Sequence, residues 1–297
     1  MNLSQDTDLI WGAWRARQSN ETRDEAGYAR MAQAALDLGI QWLDHADIYD
    51  DGEVEALHGR AMAALSPADR NAFSIITKCG VRFPSPGQPG VRVAHYRSDA
   101  AFVRTQADAS LKRLGIEQIG LYLLHRPDYL MRAEETARAL EDLHQAGKVA
   151  AIGVSNFSTH QFARLEAALD LPLIAHQIEI SVSETSALDD GRMDLACTGD
   201  TTLLAWSPLA GGRLFSESAH DAGLQQCLGR VSEAHGDCGT DVVALSWLKS
   251  LPARTIPILG TCSTERLIRQ ARGYRATDLD CQDWYSILQA SRGEPIP

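Results

Sequence analysis

Apolar residues at Tyr28, Met31, Ala32, Ala35 and Leu36 recur at the 3.6-residue period of one helix face. Thr22 and Glu25 match a capping-box pattern ahead of them, and Gly39 offers a stop. Gln41-Trp42-Leu43 then reads as a short buried strand. Polar residues gather where it ends, in Asp44-His45-Ala46-Asp47-Ile48-Tyr49. Leu9 to Gly12 predicts a strand before this unit.

The alternation continues along the chain. Glu53 to Leu65 reads as a helix with Val54, Leu57 and Ala61 on one side, broken by Ser66-Pro67. Phe73 to Thr77 is a strand that delivers Lys78. Phe83 to Pro89 holds three prolines and a glycine and reads as a functional loop. A helix over Phe102 to Leu114 stops at Gly115, and the strand Ile119 to Leu124 ends on His125. Ala133 to Ala146 is a helix capped by Gly147, and Val149 to Val154 is a strand ending in Ser155-Asn156. Next come a helix over Thr159 to Leu169, a strand over Ile174 to Gln177 and a weak helix near Arg192 to Cys197. Thr202 to Trp206 is a strand ending in Ser207-Pro208, and Thr240 to Ser250 is a helix. Ile256 to Leu259 is the last strand, ending in Gly260-Thr261, and helices near Thr264–Ala271 and Cys281–Ala290 close the chain.

Eight strands, each followed by a helical pattern and with no composition break, fit one α/β domain over residues 1–297. The architecture expected is a (β/α)₈ TIM barrel with C-terminal helices. The rival is a doubly wound open sheet. It usually announces a dinucleotide site with G-x-G-x-x-G after the first strand, and Gly12-Ala13-Trp14 is not that.

Composition narrows the partners. Hydrophobic residues make up 44% of the 297, enough for a substantial core. A formal net charge of −11 argues against nucleic acid and anionic membranes, yet leaves room for a local basic pocket. The six cysteines form no C-x-x-C pair, so zinc-ribbon and thioredoxin-like readings fail. No signal-peptide pattern or membrane-length apolar run is visible, and a reduced, cytoplasmic protein is expected, with monomer as the default.

In a closed barrel the C-terminal ends of the strands face one mouth. Those ends supply Asp44 and Tyr49, Lys78, His125, Ser155 and Asn156, Gln177, Trp206 and Ser207, then Gly260 and Thr261. An ammonium beside a phenol favours the phenolate and lowers its pKa, and Asp44 is a counter-charge for a buried Lys78. Tyr49 could then protonate a carbonyl oxygen that His125 orients. Singly, Lys78 could snorkel from a strand end and His125 could be a satisfied core histidine. Asp44, His45, Asp47 and His58 are also possible metal ligands, but Asp44 and His45 point to opposite faces of a strand.

The chain resembles the aldo-keto reductase superfamily over nearly its whole length. The resemblance lies in Leu43 to Tyr49, Ile76-Thr77-Lys78-Cys79-Gly80 and Leu121 to Pro127. It continues in Gly147-Lys148 with Ile152 to Phe157, in Ala205 to Gly212 and in Pro257 to Thr261. The wording is similar to a bacterial branch of generic oxidoreductases. The resemblance implies NADP(H) bound without a Rossmann fold and hydride transfer to a small carbonyl substrate. It implies Tyr49 as general acid, Lys78 and Asp44 as its tuning groups and His125 as the positioning group.

The same resemblance implies that Ser155, Asn156 and Gln177 bind the nicotinamide carboxamide and that Trp206 stacks on its ring, where tyrosine is frequent in the family. Gly12, Ser207, Pro208, Leu209, Gly211 and Arg213 would follow the cofactor toward its pyrophosphate. Gly260, Thr261, Ser263 and Arg266 would form the 2′-phosphate pocket, with Gln270 near the adenine. Gly260 stands where many members carry lysine, which removes one cation. A second departure is a truncated N-terminal cap: only about eight residues precede the first strand, leaving the barrel bottom less covered. Trp14, Tyr96 and Tyr129 are expected to line the substrate pocket and favour an apolar or aromatic carbonyl. Two other classes remain open: an NADPH-binding regulatory or scaffold protein, and a metal-dependent barrel hydrolase using Asp44, His45 and Asp47.

Overall fold

Short apolar runs supply eight parallel strands that close into a barrel. The computed structural model describes residue 3 and residues 5–216 and 222–296. The strands are β1 (Ile10–Gly12), β2 (Trp42–Asp44), β3 (Ser74–Cys79) and β4 (Leu121–Leu124). They continue as β5 (Ile152–Ser155), β6 (Leu173–Glu179), β7 (Thr202–Trp206) and β8 (Thr255–Leu259). Each pairs with its successor, and β8 returns to β1 through Ile10–Ile258 and Trp11–Leu259. Because every neighbour is parallel, all the carboxyl ends open on one rim.

Inside the barrel Ile10, Ile76, Leu121, Leu123, Leu204 and Ile256 pack together. Leu3 joins this cluster beside Trp42, and Arg254 donates to the carbonyls of Leu3 and Thr7. The Leu3 side chain packs with the barrel interior while its carbonyl is held by the Arg254 guanidinium.

The helices sheathe the strands. They are α1 (Glu25–Asp37), α2 (Glu53–Ala61), α3 (Pro67–Ala72), α4 (Ala100–Leu114), α5 (Ala133–Gln145) and α6 (Thr159–Glu166). The rest are α7 (Arg192–Thr198), α8 (Ala222–Ala234), α9 (Thr240–Lys249), α10 (Thr264–Ala276) and α11 (Cys281–Arg292). The cap of α1 differs from expectation. Asp24 accepts from the Gly27 amide, while Thr22 Oγ1 donates back to Ala16 O. Ser66-Pro67 opens a helix as well as ending one, because serine suits the N-cap and proline the first helical position. The loop at 83–89 is bracketed by an unpredicted hairpin, Val81–Arg82 with His95–Tyr96. Helix α8 is also unpredicted, although Leu224, Cys227, Leu228 and Val231 form a buried stripe at helical spacing. Among the described residues no helix is long and apolar enough to cross a membrane.

Candidate active site

Lys78, fully buried on β3, is the centre of the site. Its Nζ lies 2.9 Å from the Asp44 carboxylate, 2.6 Å from His45 O and 3.0 Å from Tyr49 Oη. An ammonium has three donors, and these three acceptors satisfy them all. Gln177, across the barrel on β6, donates to Asp44 Oδ1 at 2.8 Å and fixes the carboxylate from the other side. After Tyr49 the chain turns sharply through left-handed Asp50, Asp51 and Gly52, which holds the phenol at the rim. His125 follows β4, and its ring meets that of Tyr49 edge-on at 6.2 Å. Asp44, Tyr49, Lys78 and His125 are therefore brought together.

The electrostatics of this group differ from the expectation in one respect. Burial pushes the Tyr49 pKa above its ordinary value, and the charge and hydrogen bond of Lys78 recover only part of that shift. The phenol is thus protonated at neutral pH. Burial opposes the charge of Lys78, but Asp44 and Tyr49 outweigh it and hold the ammonium above its ordinary pKa. Burial, then Lys78 and Arg126, push His125 well below the usual histidine range, so its imidazole is neutral.

The acidic and histidine residues around β2 scatter. His45 turns away from Asp44, and its Nε2 lies 3.0 Å from Tyr28 Oη, which also meets His58 Nδ1 at 3.2 Å. Asp47 is buried apart from both, and burial and the neighbouring Glu55 raise its carboxyl to about 8. Among the described residues no group of three or more His, Cys, Asp or Glu side chains is arranged to hold a metal.

A cavity of about 760 Å³ opens above Tyr49. Around the phenol its wall is Gly12, Trp14, His125, Ser155, Asn156, Gln177 and Trp206. It runs past Ser207, Pro208, Leu209 and Gly211 to Gly260, Thr261, Arg266 and Gln270. Asn156, in the left-handed region at φ 61°, ties three strand ends together. Its amide donates to Ser155 Oγ at 2.8 Å and His125 O at 3.2 Å, and accepts from Trp206 Nε1 at 2.9 Å. The indole of Trp206 is thereby fixed.

Four expected contacts stand off this wall. Arg213 is 72% exposed and faces Glu179 at 4.0 Å. Ser263 sits at the N-cap of α10. Tyr96 and Tyr129 lean on each other at 6.2 Å, and Tyr129 is largely exposed. Asp128 holds that loop outward by accepting from Ser98 and the Leu130 amide.

Other wall residues were not expected. Arg15 donates to Gly211 O at 3.1 Å, and Arg126 lies beside His125. Arg269 forms a two-pronged pair with Asp241 at 2.6 Å, and Gln270 donates to the same carboxylate. Burial favours the neutral acid of Asp241, but those hydrogen bonds win and hold its pKa below the ordinary value. Arg269 has a sequence signal, one turn beyond Arg266 on a helix. Asp241 has none, because its partner lies on another helix.

Residues 8–292 match the model of the aldo/keto reductase family. A 6-dehydroglucose reductase of Novosphingobium aromaticivorans is 39% identical over 97% of this chain and 93% of its own length. The oxidoreductase YdhF of Escherichia coli is 34% identical over 97% of this chain and 95% of its own. Among solved structures, the glycerol dehydrogenase of Gluconobacter oxydans superposes with a TM-score of 0.81 at 25% identity, covering 97% of this chain and 93% of that one. A thermostable aldo-keto reductase, Tm1743, shares the fold with a TM-score of 0.78 at 23% identity, covering 95% of this chain and 94% of that one. The chain belongs to the aldo/keto reductase family and is an oxidoreductase of that type.

Proposed function

We propose that this protein reduces the carbonyl group of a small aldehyde or ketone with NADPH, with Tyr49 as general acid. The observation that carries this reading is the three-way bond of Lys78 to Asp44, His45 O and Tyr49. A protonated phenol with an ammonium at its oxygen can release a proton to a developing alkoxide without leaving a bare phenolate. Asp44 neutralises the ammonium, and Gln177 holds Asp44. Neutral His125 has a ring N–H to donate to the carbonyl oxygen and aim it at Tyr49.

The donor set fits a nicotinamide dinucleotide along the cavity. Trp206 with Ser155, Asn156 and Gln177 offers a flat face and amide partners next to Tyr49. At the far end Thr261 and Arg266 offer a hydroxyl and a guanidinium near the start of α10, which suits a phosphate. Bound there, the cofactor supplies the hydride. Steady-state oxidation of NADPH with a panel of aldehydes tests the reading, and binding without any turnover favours the regulatory alternative.

Two predictions attach to these residues. Arg269 is neutralised by Asp241 and Gly260 brings no cation, so Arg266 carries the preference for the 2′-phosphate. Arg266→Ala should raise the KM for NADPH by roughly tenfold or more, with a smaller change for NADH. Equal changes for both cofactors would remove Arg266 from that role. The second concerns pH. His125 is already neutral below its ordinary value of 6.5, and Tyr49 holds its proton past 10.0. The rate of reduction at saturating NADPH should be flat between those limits and fall only above the upper one, where the acid is lost. An inflection near 6.5 would contradict the neutral histidine.

A further inference from the structure

Four guanidinium groups reach the cavity wall: Arg15, Arg126, Arg266 and Arg269. Arg15 donates to Gly211 O and Arg269 to Asp241. Among the described residues Arg126 and Arg266 make no hydrogen bond or ion pair. They follow β4 and β8, which stand on opposite sides of an eight-stranded ring. A dinucleotide with its 2′-phosphate at Arg266 would bring its nicotinamide, not a phosphate, to the Trp206 end of the cavity where Arg126 lies, so Arg126 is left to a second ligand.

Arg126 adjoins His125, the group proposed to orient the carbonyl, and both line the cavity. Its guanidinium carbon lies over the ring of Trp206, 5.9 Å from the centroid. A cation over an aromatic face is attracted to it, and this contact uses none of the guanidinium's N–H donors. Glu179 feels the charge of Arg126 but makes no ion pair with it, turning instead to Arg213. Arg126 thus brings up to five donors and no acceptor to the cavity wall. A purely apolar carbonyl compound would cover those donors without replacing the water on them, which is unfavourable.

We infer that Arg126 is a specificity-determining residue that selects carbonyl substrates bearing further acceptor oxygens, as hydroxyl or carboxylate groups, beyond the carbonyl that is reduced. The inference rests on the carbonyl-reductase reading. It revises the apolar preference that Trp14, Trp206 and their aromatic neighbours suggest when taken alone.

The test compares glyceraldehyde, succinic semialdehyde and butanal as substrates at saturating NADPH. It uses wild type, Arg126→Met and Arg126→Lys, with cofactor binding followed by tryptophan fluorescence. Wild type should favour an oxygenated aldehyde over butanal. In Arg126→Met the ratio of kcat/KM for that aldehyde to kcat/KM for butanal should fall by roughly tenfold or more, mainly through KM. Arg126→Lys should recover part of the loss, and the oxygenated aldehyde that loses more identifies the group recognised. Unchanged ratios in both variants, or an equal loss for all three aldehydes, would overturn the inference alone. Failure of wild type to turn over any of the three would contradict the reductase reading and the inference with it.

Discussion

Tyr49→Phe should lower the rate of carbonyl reduction by roughly a hundredfold to ten-thousandfold, the range that one positioned acid contributes. The substitution removes a single oxygen. That oxygen accepts from Lys78 at 3.0 Å, and the ring remains between Trp14 and His125. NADPH affinity should therefore change little, because the residues placed along the dinucleotide keep their partners. The split between turnover and binding is the informative part. A variant that reduced aldehydes at the wild-type rate would show that another group supplies the proton. A variant that also lost NADPH would show that Tyr49 shapes the cofactor site.

Lys78→Met should be costly in two ways. Lys78 is fully buried, and the Asp44 side chain is 5% exposed. Removing the cation leaves a buried carboxylate with only Gln177 as a side-chain donor. Breaking a buried pair from one side typically destabilises by about 3–5 kcal/mol. The same change strips Tyr49 of the charge that would stabilise its phenolate, so turnover should fall as well. The double variant Lys78→Met with Asp44→Asn separates the two effects. It should regain much of the stability in urea unfolding, because the orphaned charge is gone, and none of the turnover. Recovery of activity in the double variant would mean that the ammonium is not needed by the acid.

The sign of the Lys78 contribution to stability follows from the direction of its shift. Its folded-state pKa lies above the ordinary 10.5. The stabilisation is therefore fully present below that value and is lost as pH rises through the folded pKa. It is intact throughout the neutral range in which turnover is measured.

The barrel and the convergence of Asp44, Tyr49, Lys78 and His125 are legible in the sequence for one physical reason. Asp44 and Lys78 lie at the ends of β2 and β3, Tyr49 lies in the turn after β2 and His125 directly follows β4, and parallel closure sends all such ends to one rim. What the sequence hides depends on quantities that patterning does not carry. The direction of the Tyr49 shift is set by how deeply the phenol is buried relative to Lys78, and burial depth has no signature along the chain. Asp241 and Arg269 find each other between two helices, so neither residue advertises the pair. Tyr96 and Tyr129 look like pocket walls because they lie on loops at the correct end. The hydrogen bonds of Asp128 decide that the Tyr129 loop turns outward. The stripe of α8 was present in the residues and needed only the template of helical spacing.

The most direct test of the reductase account is transfer of the label itself. NADPH carrying deuterium at both positions of its nicotinamide C4 would be incubated with the wild-type protein and glyceraldehyde, and the alcohol product examined by mass spectrometry. The account predicts one deuterium on the carbon that was the carbonyl and none elsewhere. Alcohol without deuterium at that carbon, or tight NADPH binding with no alcohol from any aldehyde, would contradict it.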